Sequence, residues 1–271
     1  LVLSTIAFGW IALGSLSAAL GFLPLFAAED ASTIGPRKTS RPLATRTALL
    51  FPVYHEDPTR ISGTIEAMAR SLGRLAPHGA FDVFVLSDTR AAQDGAREDV
   101  AYSTLQKELC ATIDVYYRRR RNNTHRKAGN IADWVERFGA AYDHFVILDA
   151  DSVMSAETLI ALAGAMEDDQ TAGLIQTVPR LVGGRTLLQH LTQFASAVYG
   201  PSVASGIAFW HRDQGNYWGH NAIIRTSAFA SSAGLPELSG RKPFGGHILS
   251  HDFVEAVLFQ RAGWGGHRMP T

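Results

Sequence analysis

The order of apolar and polar positions divides the chain into three stretches. Residues 1–28, LVLSTIAFGWIALGSLSAALGFLPLFAA, hold no charged side chain. About 20 apolar residues at 1.5 Å each cross a hydrocarbon core. The stretch is apolar on every face, unlike a helix with one buried stripe, and it lacks the basic start of a secretory leader. It predicts a transmembrane helix in which Gly9, Gly14 and Gly21 suit close helix packing. Residues 29–46 predict a linker, polar, broken by Pro36 and Pro42, and carrying Arg37, Lys38, Arg41 and Arg46. Positive charge beside a span marks the cytoplasmic side.

From residue 47 onward two periods alternate. Short apolar runs at 47–54, 81–88, 113–119, 144–151 and 173–179 predict strands. Between them, apolar residues at helical spacing predict helices over 61–75, 96–110, 127–139 and 155–166, the last with Ser155 as N-cap and Glu157 in its first turn. The expected fold class is α/β, a mostly parallel sheet flanked by helices, over 47–271. Residues 185–210 predict an amphipathic helix with several aromatics, 231–246 a Gly/Pro/Ser loop, and 250–263 a helix that opens with Ser250 and Asp252.

Composition adds bounds. The 271 residues give room for one large domain or two small ones. A formal net charge of zero leaves no global field for a nucleic acid. A single cysteine, Cys110, excludes an intramolecular disulfide and fits a reducing compartment. The start at Leu1 and the stop after Met269-Pro270-Thr271 read as cuts in a longer protein.

Candidate chemistry gathers at the strand ends. The first run ends in Glu56 and Asp57, the second in Asp88, the third feeds Lys127 and Asn130, and the fourth ends in Asp149 and Asp151. In sheets of this class ligands bind at the carboxyl ends of the strands. Residues i and i+2 of an extended segment point the same way, so Asp149 and Asp151 can face one cation. Mg2+ or Mn2+ takes one or two carboxylates and completes its shell with substrate phosphate oxygens. Helix capping by Asp151 is the bland alternative, and it leaves Asp149 unexplained. Arg118–Arg121 reads as a solvated face or a phosphate-holding run. Lys127, Gly129 and Asn130 open a helix, where a glycine admits close backbone approach and the N-terminus favours anions. Asp252 is either a first-turn carboxylate or a catalytic one, and His251 is a metal ligand, a base or a neighbour of that carboxylate.

In order and at these spacings, FPVYHEDP, LSD, HRKAGN, LDADSVMS, YWGHNAIIR and SHDFVEA resemble the processive family 2 glycosyltransferases of GT-A fold, relatives of cellulose synthase. Longer strings such as YYRRRRNNTHRKAGNIADW and QFASAVYGP resemble the branch that builds osmoregulated periplasmic glucans. The resemblance spans residues 45–271. It implies an inverting membrane glucosyltransferase that moves glucose from UDP-glucose to a growing glucan with a β-1,2 backbone. Another β-polysaccharide, of cellulose or hyaluronan type, is the alternative product. Pro52, Tyr54 and Glu56 would border the uridine, Asp88 would hold the uracil or ribose, and Lys127, Gly129 and Asn130 would approach the nucleotide sugar. Asp149 and Asp151 would hold the metal, Asp252 would be the general base, and Gly219, His220, Asn221 and His251 would line the acceptor site. The family's Thr-Glu-Asp triplet here reads Ser250-His251-Asp252, which removes its glutamate. The resemblance further implies a bacterial inner-membrane, multi-pass protein with a cytoplasmic catalytic domain, in contact with lipid and with other glucan-biosynthesis proteins. Two readings compete. A phosphatase of the haloacid-dehalogenase type also ends a strand in Asp-x-Asp, although on its first strand, and three strands precede this one. A nucleotide-binding regulator could retain the fold without catalysis.

Overall fold

The computed structural model describes residues 2–22, 42–241, 245, 246, 248 and 250–269. The linker expected over 29–46 therefore lies outside the described residues as far as residue 41. Seven strands form one sheet: β1 Thr47–Val53, β2 Phe81–Ser87, β3 Val115–Arg119, β4 His144–Ile147, β5 Ala172–Thr177, β6 Ala222–Arg225 and β7 Gly265–Met269, in the order β3-β2-β1-β4-β6-β5-β7. Neighbours are parallel except where β6 pairs antiparallel with β4 and β5. The sheet is thus mostly parallel, as the alternating pattern requires.

Side chains leave a strand on alternate faces, and both faces are covered. Leu49, Phe51 and Val53 of β1 enter one core with Val83 and Val85 of β2, while Leu50 of β1 and Phe84 and Leu86 of β2 enter the other. The first core is roofed by α2 Pro58–Leu75, α3 Ala92–Leu109 and α5 Ala156–Asp168. The second lies under α4 Arg126–Phe138, α7 Thr226–Ser232 and α8 His251–Arg261, around the fully buried Trp134. Caps fix several helix starts. Asp57 accepts from the Thr59 amide to open α2, with Pro58 at the first helical position. Ser155 accepts from the Thr158 amide to open α5, and Glu157 sits in its first turn.

The fourth apolar run stops earlier than its pattern suggests. β4 ends at Ile147, where its antiparallel partner β6 begins at Ala222, although β1 continues to Val53. Leu148 N–H still donates to Leu50 C=O at 2.9 Å and Asn221 N–H to Ile147 C=O at 2.7 Å. The chain then turns, Ser152 N–H donating to Asp149 C=O at 2.9 Å. Asp149 and Asp151 sit on a turn and not on an extended strand.

The apolar N-terminal stretch forms α1, Val2–Phe22, the one helix among the described residues long and apolar enough to cross a membrane. It packs against α6, Leu187–His211. Contact runs through small residues. A Cβ on Gly21 would sit 2.2 Å from Gly206 N, and Ser202 Oγ donates to Ala18 C=O at 2.6 Å. Trp210 Nε1–H donates to Ser17 Oγ at 3.1 Å. Gly9 and Gly14 meet nothing, so one of the three expected glycines packs. The expectation of an ordinary amphipathic α6 is corrected: its buried residues are Ser205, Gly206 and Ala208, while Leu187, Leu191, Phe194 and Val198 are exposed. Its large apolar residues cover no part of the core.

Candidate active site

The ends of β1, β2 and β4 and the start of α4 border one cavity of about 880 Å³. Pro52, Tyr54, Glu56, Asp88, Lys127, Asn130, Asp149 and Asp151 all line it. Eight residues expected from separate motifs therefore share one space.

The strand ends are held from behind. Glu98 of α3 is buried and accepts from Ser87 Oγ at 2.6 Å, Thr89 Oγ1 at 2.6 Å and Tyr117 Oη at 2.9 Å. Burial, reinforced by Glu98, pushes the Tyr117 phenol well above its usual range, so the hydroxyl keeps its proton and donates. Between Ser87 and Thr89, Asp88 takes both ends of the Arg120 guanidinium, Nε at 2.7 Å and Nη2 at 2.8 Å. Arg120 also donates to Arg126 C=O and Thr124 C=O, tying the loop before α4 to the end of β2. The basic run is thus spent on ion pairs: Arg118 with Asp133, Arg119 with Asp99, Arg120 with Asp88. Its expected role as an open phosphate-holding run does not apply to these three.

Lys127 links the two halves of the site. Its Nζ donates to Asp149 Oδ1 at 2.5 Å and to Gly219 C=O at 2.7 Å. Gly219 has φ +83, and a Cβ there would lie 3.3 Å from Asp252 Oδ2. Only a residue without a side chain combines this left-handed backbone with such an approach. Asp252, in the first turn of α8, therefore lies against the same glycine whose carbonyl holds Lys127. The loop before β6 is pinned from β5: Gln176 donates to His220 C=O at 3.0 Å and accepts from Trp218 N–H at 3.0 Å, and Thr177 Oγ1 donates to Asn221 C=O at 2.6 Å. Asn221 is itself left-handed at φ 52, as are His55, His125 and Arg126 around the cavity.

Two expected contacts change character. A Cβ on Gly129 would fall 2.2 Å from Thr124 C=O. This glycine lets α4 pack on its own leading loop, and it does not line the cavity. Asn130 is buried and committed at both ends, donating to Leu86 C=O at 2.8 Å and accepting from Arg118. His220, Asn221, Gly219 and His251 lie outside the lining of the cavity, around Asp252 and the loop before β6.

The donor set suits a cation shared with a ligand. Asp149 and Asp151 share the cavity wall, and Lys127 occupies one oxygen of Asp149. Among the described residues no group of three or more His, Cys, Asp or Glu side chains is arranged to hold a metal ion by itself. Two carboxylates match a Mg2+-like ion that keeps several ligands from substrate and water.

Residues 144–271 match the family model described as Glycosyl transferase family group 2. Over those residues the chain matches a family 2 glycosyltransferase domain. Proteins named glucans biosynthesis glucosyltransferase H are similar to it: one from Vibrio cholerae is 52% identical over 264 residues, 97% of this chain and 36% of that protein. One from Xylella fastidiosa is 51% identical over 271 residues, 100% of this chain and 42% of that protein. The chain thus spans about two fifths of the length of these curated relatives. A glucosyl-3-phosphoglycerate synthase from Mycobacterium tuberculosis, solved with Mn2+, UDP-glucose and phosphoglyceric acid, matches with a TM-score of 0.48 and 13% identity over 89% of this chain and 78% of that one.

Sequence reasoning missed Arg60, Arg90, Asn123 and Arg126, which also line the cavity. Their signal was position: Arg60 falls in the first turn of α2, Arg90 directly after Asp88-Thr89, and Arg126 directly before Lys127. Three arginines and Lys127 face Glu56, Asp57, Asp88, Asp149 and Asp151. Such mixed walls suit a ligand that is anionic and also brings a cation.

Proposed function

We propose that the chain is the donor-binding and catalytic part of an inverting, membrane-bound glucosyltransferase that moves glucose from UDP-glucose to a growing β-glucan, with a β-1,2 backbone. One observation carries this reading: Lys127 joins the Asp149 turn to Gly219, against which Asp252 lies. Lys127 and Gly219 thus tie the cavity that holds Asp149 and Asp151 to an independent carboxylate. The names of the relatives support the glucan product.

Tyr54, Pro52 and Asp88 would take the uridine, the first as an exposed aromatic at the rim. Arg60, Arg90 and Arg126 would face the diphosphate. Asp149 and Asp151 would hold Mg2+ or Mn2+, which when bound neutralises the leaving diphosphate. Lys127 would hold the donor end of the site against the acceptor end. Asp252 accepts the proton of the acceptor hydroxyl as that oxygen bonds to the anomeric carbon. The bond from this carbon to the UDP oxygen breaks on the opposite face, and UDP leaves with the electron pair. One displacement inverts the centre. A positioned base contributes typically ~10²–10⁴-fold. In this arrangement α1 crosses the inner membrane and the domain lies on its cytoplasmic side.

The test is Asp252→Asn in the full-length natural protein in membranes. The variant keeps UDP binding and loses glucan synthesis by ~10²-fold or more. Glucan synthesis at the wild-type rate removes Asp252 from the role. Phosphate release without sugar transfer would point to the phosphatase reading, and donor binding without either product to the regulator.

A further inference from the structure

Behind Asp252 lies a pair that the transfer reaction as described leaves unused. His251 Nδ1 is 3.1 Å from Glu255 Oε1, one helical turn on, with the His251 side chain 13% exposed and that of Glu255 2%. The other carboxylate oxygen, Oε2, is buried without a hydrogen-bond partner. Tyr217, fully buried beneath the loop before β6, also keeps its hydroxyl unpartnered. Burying a carboxylate with a single polar partner costs several kcal/mol, and a leucine would fill the same space without that penalty.

Such a carboxylate has a clear effect on an imidazole. Which ring nitrogen carries the proton is set by the hydrogen bond the other makes. Nδ1–H donating to Glu255 leaves Nε2 as an acceptor, and no described residue bonds Nε2. His251 and Asp252 are consecutive in the first turn of α8, so the backbone that carries the imidazole also carries the carboxylate that meets Gly219. The titratable groups around the pair come from three elements: Asp252 on α8, Lys127 on α4, and the neutral Tyr217 on the loop before β6.

We propose that Glu255 is a positioning residue of the transfer centre: it fixes the His251 imidazole so that Nε2 holds an acceptor-sugar hydroxyl beside Asp252. The proposal rests on the reading of Asp252 as the base. It assigns the α8 carboxylate three residues after Asp252 a task that the triplet Ser250-His251-Asp252 leaves open. Burial raises the Glu255 pKa, while the His251 bond and Lys127 oppose that rise. The imidazole bond therefore helps keep the carboxylate in its accepting form.

The experiment uses the full-length natural protein in its membrane, with Glu255→Leu, His251→Ala, the double variant and Asp252→Asn side by side. Glu255→Leu lowers turnover by ~10–100-fold, as for other groups that orient a ligating histidine, while the KM for UDP-glucose and the affinity for UDP stay at wild-type values. The double variant is no slower than His251→Ala alone, because Glu255 acts only through the imidazole. If Glu255→Leu fails to fold, Glu255→Gln replaces it in the same comparison with His251→Ala. Wild-type turnover in the Glu255 variant, or losses that multiply in the double variant, would overturn the proposal. If Asp252→Asn retains glucan synthesis, the base assignment itself falls. An inactive Asp252→Asn beside a normal Glu255 variant removes only the positioning role.

Discussion

The Asp88–Arg120 pair offers a direct test of how the cavity proposed for the donor is held together. Both side chains are nearly buried, at 6% and 9% exposure, and the guanidinium grips both carboxylate oxygens. Replacing Arg120 with methionine keeps the length of the side chain and removes the charge. Two opposite charges about 4 Å apart at an effective dielectric of 20 attract by about 4 kcal/mol. Removing one member of a buried pair costs about 3–5 kcal/mol, since the other charge stays buried alone. Arg120 also anchors the carbonyls of Thr124 and Arg126, so the loop that carries Asn123 and Arg126 to the cavity loosens too. For a domain of this size about 3 kcal/mol lowers the melting temperature by roughly 10 °C. Thermal unfolding followed by circular dichroism measures that shift, and calorimetry measures UDP affinity. Adding Asp88→Asn removes the stranded charge, so the double variant recovers part of the lost stability while UDP binding stays weak. An Arg120→Met protein that melts like the wild type, or a double variant less stable than Arg120→Met, would refute the reasoning.

Other outcomes follow from the same structure. Asp149→Ala weakens metal-dependent UDP binding at least ~10-fold and leaves the fold intact, because Asp149 is partly exposed; titration with and without Mg2+ reads this. Glu98→Ala strands three hydroxyls behind the cavity and lowers urea stability by about 3 kcal/mol, at ~1 kcal/mol or more per buried unsatisfied group. Gly206→Leu forces α1 and α6 apart, since a Cβ there meets the Ser17 carbonyl; a disulfide between cysteines placed at 18 and 202 forms in the parent and not in the variant. Burial and the charge of Arg225 lower the His144 pKa to about 4, against about 6.5 unfolded. Between these values the unfolded chain binds the extra proton, so stability present above pH 6.5 is lost as pH falls toward 4. At pH 5 the loss is about 2 kcal/mol by urea midpoint, and His144→Gln flattens that window.

Much of the architecture was legible because its rules are local. Period-two and helical apolar spacing located β1 to β5 and α2 to α5 within a few residues, and Ser155 capped α5 as its type and place require. β6, β7 and α7 were not legible. Ala222–Arg225 and Thr226–Ser232 are too short to show a period, and Gly265–Met269 contains two glycines and two charged or polar residues. Those strands exist because β5 supplies hydrogen-bond partners on both sides, a long-range fact that no local pattern records. α6 misled for the same reason: its sequence displays apolar residues, and only the position of α1 shows which face is used.

Candidate chemistry divides in the same way. The sequence alone determined that acidic and basic residues stand at successive strand ends, since chain order and periodicity place them there. It also supplied Asp252 at a helix start. Only the tertiary structure decided which of them meet. The turn after β4 brings Asp149 to Lys127, and a left-handed glycine lies between Lys127 and Asp252, which are more than a hundred residues apart in the chain. It also decided that Arg120 is spent on Asp88, Gly129 on its own loop, and that Arg60, Arg90 and Arg126 face the cavity. Residue type fixes what a side chain can bind. Packing of distant elements fixes what it does bind, because burial removes water as the competing partner and leaves each charge only the groups that the fold sets beside it.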